Sequence, residues 1–453
     1  VVFFLRKIME ETIQKNLAAF VSECDFAKIP EHFKEDARYR VLDWLGCAVA
    51  GAHYPQVEIS AKYFDSLGDA GSSSVILHNK KYSVRTAAFL NGIAGHVCEL
   101  DDGHRTAIGH PGSVAVPTAL SLAEKLNSTG EEFLKAVILG YDMFARTGRT
   151  VNPTHYKTWH TTGTCGTLAA AAAAASLLKL TPEETNNALG IAATMAGGLV
   201  ESFGSHAKAI NIAEACQNGI DAAYLAKNGL TGSHSALLGK KGFVAATCTE
   251  PHIENLENPT ETSLVSDTAF YKVYSSCGHT NSPLDLTFKF IKEVQPNPDD
   301  IEKIDIQTYK VSVDLTSALK VATEDEAKFS LPFCVAIAIL YKSVALAYFT
   351  DKVRKDEKVL SLARKVTVSE NPEATARFPK RQAELQVTMK DGTVYRYQTL
   401  NSCDDADNAQ IVAKFEAATQ NLTTEQREKL ICFITTVDQQ PGIGEIFGIL
   451  QNK

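Results

Sequence analysis

The 453 residues contain no stretch of the roughly 18 uninterrupted apolar positions that a membrane span needs. The alanine-rich run Leu168–Leu180 is too short and too weakly apolar, so no membrane partner is expected. No C-x-x-C pair occurs, and no cysteine stands at zinc-finger spacing with a histidine, so no metal is expected. The ten cysteines, from Cys24 to Cys432, are scattered singly and read as reduced thiols, mostly small core residues, of a cytoplasmic protein. A phosphate-cradling P-loop is missing, and so is a G-x-G-x-x-G after a strand, so nothing asks for ATP or NAD. An excess of basic charge is also lacking: 45 Lys and Arg stand against 53 Asp and Glu, a net charge of −8. That balance argues against nucleic acid as a partner and leaves room for a small anion in a locally basic cleft. The apolar stretch Val1–Ile8 has neither a basic n-region nor a small-residue cleavage site, so no signal peptide is expected and Met9 reads as the natural start.

The length predicts two or three cores. Through residue 265 the chain is helix-like, with apolar residues at three- and four-residue spacing in Phe33–Val49, Ser113–Leu126, Gly130–Thr147 and Thr167–Leu180. Thr181-Pro182-Glu183-Glu184 is a capping-box start for a helix ending at Ala196, and a further helix covers Ile210–Lys227. The run Ala169–Ala175 is small on all faces, which places it inside a helical bundle. Near residue 266 the pattern changes. Ile301–Val313 alternates like a strand, Lys365–Val368 is a short strand, and Glu384–Thr399 forms a hairpin about Asp391-Gly392. Helices are expected at Glu324–Tyr341, Asp356–Leu362, Asp407–Thr419 and Thr424–Val437. The fold class is therefore mainly α with an inserted α+β domain: residues 1–265 and 405–453 form a helical domain, and residues 266–404 an α+β lid.

Four segments carry candidate chemistry. His96–Arg105, continued by Gly109–Gly112, gathers Glu99, Asp101, Asp102, His96, His104, His110 and Arg105 in a loop between helices. A solvated, capping loop is the plain alternative. Trp159–Thr167 joins His160 to the hydroxyls of Thr161 and Thr164 and to backbone N–H groups at a helix start, a natural anion site. The plain alternative there is a Thr-capped helix with a surface histidine. Lys208, among small and apolar residues, is either snorkelling or paired with an anion. Lys272–Asn281 lies at the domain junction, where small-molecule sites are favoured, and holds Lys272, Cys277 and His279. A Cys277 nucleophile and a zinc set of Cys277, His279, His104 and His110 are lesser readings.

In order and spacing these segments resemble the MmgE/PrpD family, which includes 2-methylcitrate dehydratases, cis-aconitate decarboxylases and iminodisuccinate epimerases. The matching motifs are Glu99-Leu-Asp-Asp102 through His110-Pro-Gly112, His160-Thr-Thr-Gly-Thr-Cys-Gly166, Lys208 with Ile210-Asn211, Lys272 through Asp285, and Glu326–Pro332. They span nearly the whole chain. The resemblance implies a helical domain with an α+β lid, a homodimer and no cofactor. In the decarboxylases the pocket is lined by an acid and the terminal histidine of the first motif, the second-motif histidine, a lysine and a junction histidine. These positions fall on Glu99 (aspartate in the decarboxylases), His110, His160, Lys208 and Cys277, with His279 two residues on. The loop between Asp102 and His110 is one residue longer here. The implied chemistry is bond making or breaking at the carbon next to a carboxylate. His110, His160, Glu99, Asp101 and Asp102 are the catalytic candidates. Lys208, Arg105, His104, Thr161, Thr164, Lys272, Cys277 and His279 are the substrate-binding candidates. The preferred expectation is dehydration of a 2-methylcitrate-like tricarboxylate. Epimerisation of an imino- or amino-dicarboxylate and cis-aconitate-type decarboxylation are the alternatives, and a non-enzymatic carboxylate binder ranks last.

Overall fold

The computed structural model describes residues 2–264, 269–402 and 406–451. The expected domain boundaries at 265–266 and 404–405 lie outside the described residues. Two hydrophobic cores are present. The larger runs from Ile13 to Leu264 and takes in Phe415 to Leu450 from the far end of the chain. The smaller is built from Leu284 to Val387.

The larger core is almost wholly helical, with two short ribbons beside it, Ser73–Ser74 with Lys81–Tyr82 and Gly103–His104 with Ala269–Phe270. Its centre is the helix Thr161–Leu177, whose residues are buried on every face. It packs between the helices Gly130–Val151 and Ala207–Lys227. The alanine run permits this: a β-carbon added at Gly219 would sit 2.3 Å from the β-carbon of Ala170, and one at Gly140 3.4 Å from that of Ala173. Such contacts need the smallest side chains on both helices. Capping boxes at Thr129/Glu132 and Thr181/Glu184 start two of the helices, the second as the sequence predicts. The C-terminal helix Asn408–Ala418 closes the unit by setting Phe415 against Gly46.

The smaller unit is a four-stranded mixed sheet in the order Val366–Glu370, Ile301–Thr308, Ala383–Met389, Val394–Thr399. The first pair is parallel and the others antiparallel. The helices Asn281–Val294 and Leu331–Tyr341 cover one face. Gly392 turns the hairpin at φ +88°. Two expectations are corrected. The strand predicted over Ile301–Val313 ends at Thr308, because Tyr309 turns the chain into a helix from Lys310 to Thr316. The single helix predicted over Glu324–Tyr341 is two, Glu324–Lys328 and Leu331–Tyr341. Ser330 caps the second through the Phe333 N–H, and Pro332 has no N–H to continue the first.

The units are clamped together by polar contacts between distant segments. The Tyr54 hydroxyl donates to Glu324 (2.7 Å) and the Gln56 amide to Asp325 (3.1 Å). The fully buried Lys328 ammonium donates to the Val97 carbonyl (2.9 Å). Because the central helices have no room at their contact, Gly219→Ala is expected to lower unfolding free energy by about 1–3 kcal/mol. Denaturant titration checks this, and an unchanged midpoint contradicts the packing described.

Candidate active site

The helix Val84–His96 delivers the chain to a buried loop, 97–111, lying between the two cores. At its first bend Glu99 adopts φ +52°, a left-handed conformation rare for a residue with a long side chain. The loop is held from outside by Lys328 on the Val97 carbonyl and by Lys414 on the Leu100 carbonyl (2.7 Å). Lys414 also pairs with the buried Asp43 at 2.5 Å.

Glu99 is the hub. Its carboxylate accepts a hydrogen bond from the Lys208 ammonium and lies 3.4 Å from the Lys272 ammonium, which is completely buried. Burial works against its charge. The fields of Lys208 and Lys272 override that and hold the carboxyl well below the usual range. Asp101 sits behind, accepting from His96 Nδ1 (2.7 Å) and the Ser113 hydroxyl (2.6 Å), with His110 Nδ1 at 3.3 Å. Asp102 lies deeper still. It accepts from the Gly112 N–H (3.1 Å) and the Tyr141 hydroxyl (3.0 Å), with Arg40 at 3.5 Å. Burial, reinforced by Asp43 and Asp101 against Arg40, pushes its carboxyl up to about 7. A side chain at Gly112 would come within 2.8 Å of Asp102, so this position must be glycine.

The two principal histidines present opposite hydrogen-bonding faces. His110 Nδ1 donates to the Asp102 carbonyl (2.6 Å), which leaves Nε2 as an acceptor. His160, the residue before the helix Thr161–Leu177, accepts at Nδ1 from the Asn211 amide (3.1 Å), so Nε2 carries the proton. Asn211 is oriented by the Ser202 hydroxyl, to which it also donates. Burial, with Lys272, His96 and Lys208, brings His110 down to about 3 despite Asp101. Burial and Lys208 likewise hold His160 well below its ordinary value. Both rings are therefore neutral near pH 7.

One small cavity joins these groups, about 30 Å³ in volume with the side chains as they stand. Glu99, His110, His160, Lys208, Cys277 and His279 line it, as the sequence suggested. Thr162, Tyr156, Phe203, Phe270, Phe329 and Arg381 complete it. Other expected residues stand elsewhere. Asp101 and Asp102 support the histidines from behind. Lys272 backs Glu99. His104 closes the turn below the cavity: its backbone N–H donates to Gly109 and its Nδ1 accepts from the Ala107 N–H. Arg105 lies 5.3 Å over the Phe270 ring. The Thr164 hydroxyl bonds His155 Nε2 (2.8 Å) and Thr161 accepts from Asn152 (3.3 Å), so neither faces the cavity: on a helix whose every side is buried, both hydroxyls point into the bundle. The nucleophile reading for Cys277 is corrected too. Burial and Glu99 raise its thiol, which keeps it protonated, and His279 is engaged with the Tyr309 hydroxyl (2.7 Å).

Among the described residues, two groups bring three possible metal-ligand atoms within 4.8 Å of one another: His96, Asp101 and His110, and on the surface His53, Glu58 and His78. The first is the hydrogen-bond network already described, and neither contains Cys277, His279 or His104. A wider open groove across the sheet, lined by Lys303, Asp305, Gln386 and Arg396, holds no histidine or cysteine.

Tyr156, Phe270 and Arg381 escaped the sequence reading, since each reaches the cavity from a segment without a motif. The cavity is chemically asymmetric. Two cations line it, Lys208 and Arg381, with Lys272 behind and Glu99 as the sole carboxylate on the wall. It suits an anion, and it sets one neutral proton acceptor and one neutral donor beside it. Glu99→Gln leaves two buried ammoniums without a counter-charge and is expected to cost about 3–5 kcal/mol of stability. A melting temperature within a degree of wild type contradicts the role of Glu99 as hub.

The profile of the MmgE/PrpD N-terminal domain matches residues 15–256, and that of the C-terminal domain residues 274–438. A cis-aconitate decarboxylase-like protein, oryM, of Aspergillus oryzae is 34% identical over 233 residues, 49% of this chain and about half (48%) of that protein. The cis-aconitate decarboxylase of Aspergillus terreus is 26% identical over 436 residues, covering 89% of this chain and 88% of that one. The enzyme of the same name from Mus musculus is 24% identical over 408 residues, 86% and 82% of the two chains. With both domain profiles matched and lyases as its relatives, this chain belongs to the MmgE/PrpD family.

Proposed function

We propose that the chain is a cofactor-independent lyase that cleaves a bond next to a carboxylate in a small tricarboxylate. The observation that carries this reading is the pairing of an acceptor imidazole, His110, with a donor imidazole, His160, in a cavity where cations outnumber carboxylates. Lys208 binds a substrate carboxylate and stabilises the charge that grows on its oxygens as the adjacent carbon gains electron density. Asp101 and the Asp102 carbonyl fix the ring of His110, and Asn211 fixes that of His160.

The first reading is decarboxylation of a cis-aconitate-like acid, which the near full-length relatives favour. The bond to one carboxylate breaks, CO2 leaves, its electron pair moves through the neighbouring double bond, and His160 Nε2–H supplies the proton to the carbon that receives it. The second is dehydration of a 2-methylcitrate-like acid, favoured by the unprotonated Nε2 of His110. That atom takes the proton next to the carboxylate, and the hydroxyl leaves as water with a proton from His160. Glu99, where the decarboxylases carry aspartate, fits either reading. We further propose that residues 266–404 act as the lid and that the enzyme is a cytoplasmic homodimer.

Proton NMR in D2O with cis-aconitate and 2-methylcitrate separates the outcomes. Loss of CO2 from the first supports decarboxylation, and loss of water from the second supports dehydration. Deuteration of an amino-dicarboxylate without elimination indicates an epimerase instead, and binding without turnover of any of these contradicts enzymatic action. His160→Ala is expected to lower kcat by about 10²–10⁴-fold; unchanged turnover removes it from the mechanism.

A further inference from the structure

Arg381 stands out among the cavity residues. It belongs to the loop between the helix Pro372–Ala376 and the strand Ala383–Met389, well beyond the Glu326–Pro332 motif, whose Phe329 is the last motif residue on the cavity wall. It is 7% exposed, and among the described residues it has no carboxylate partner. Among the described residues its one side-chain hydrogen bond runs from Nη1 to the Gly278 carbonyl (3.0 Å). A guanidinium carries five N–H donors, so most of the fork is left for something else. A buried guanidinium without a counter-ion is costly, and other buried arginines of this protein are paired: Arg40 with Asp36 and Asp102, Arg146 with Asp142, Arg354 with Asp351.

The surroundings hold Arg381 in place. Its backbone N–H donates to Asn401 (3.2 Å) and its carbonyl accepts from the Ser282 hydroxyl. Its guanidinium lies 4.7 Å over the Phe270 ring. Phe270 in turn rests on Gly103, where a β-carbon would come within 2.6 Å of the ring. At Gly278 a β-carbon would come within 3.2 Å of Nη1. Two glycines thus make room for one flat cation at the cavity wall, contributed by the smaller unit, whereas Lys208 comes from the helical one.

We infer that Arg381 anchors a terminal carboxylate of the substrate, bidentately, with Lys208 holding another, so that the site selects tricarboxylates over shorter dicarboxylates. The inference rests on the tricarboxylate-lyase reading and names the residue that recognises one of the substrate's carboxylates. It also gives the smaller unit a direct part in recognition: the anion bridges cations from both units.

The test uses two unreactive probes, propane-1,2,3-tricarboxylate and 2-methylsuccinate, which differ by one terminal carboxylate, with calorimetry on the full chain. The wild type binds the first about ten- to hundredfold more tightly; Arg381→Gln abolishes that difference while leaving 2-methylsuccinate within about twofold, and Arg381→Lys restores part of it. A merely structural role through Gly278 would weaken both probes alike, which overturns the proposal. So does a wild type that does not discriminate, or that binds neither probe. If discrimination depends on Arg381 but no acid is turned over, the lyase reading fails and the anchor stands. If a tricarboxylate is turned over and Arg381→Gln leaves both affinities unchanged, the anchor alone fails.

Discussion

A carboxylate buried between two ammoniums organises this protein. Glu99 is removed from water together with Lys208 and Lys272, and each of these charges would be expensive alone. Bringing them together requires three distant stretches to meet: the loop after the helix Val84–His96, the helix Ala207–Lys227 and the segment that enters the smaller unit. Burial, with the nearby ammoniums, pushes proton affinity down at His110 and His160 and keeps both rings neutral. The same arrangement suits the anionic substrate and the acid–base roles proposed above.

Rigidity around this centre comes from size as much as from charge. The loop 97–111 in turn packs closely on the helix Gly130–Val151, where a β-carbon at Gly148 would come within 2.6 Å of that of Ala107. Gly112 and Gly103 are small because Asp102 and Phe270 occupy the space a side chain would need. The smaller unit supplies the opposite wall with Phe329, Cys277, His279 and Arg381, and it is tied to the loop through Lys328. A ligand held at such a junction contacts both units, which is why the site forms there rather than in the open groove across the sheet.

Much of this was legible in the sequence, for identifiable reasons. Capping boxes, helical periodicity and the Asp-Gly hairpin are local signals, and they located most helices and the last two strands. Glu99, His110, His160 and Lys208 were recognisable because they lie in dense polar clusters or in motifs. What failed depended on direction. Thr161 and Thr164 lie beside His160 in sequence, yet the helix turns their hydroxyls into the bundle. His104 and Arg105 share the loop of Glu99 but serve its turn and the Phe270 ring. Arg381 gave no signal, since its place at the wall is set by the Phe270 ring, Gly278 and Asn401, with no pattern near it in the chain. The end of the strand at Thr308 was hidden because Tyr309–Val313 keeps an alternating pattern while its backbone coils.

The central claim is that side chains between positions 99 and 381 enclose a single anion. A crystal structure of the full chain soaked with propane-1,2,3-tricarboxylate tests it most directly. The ligand is expected between His110 and His160, with one carboxylate on Lys208 and another on Arg381. Ligand ordered on a different surface, with this cavity left unfilled, would contradict it.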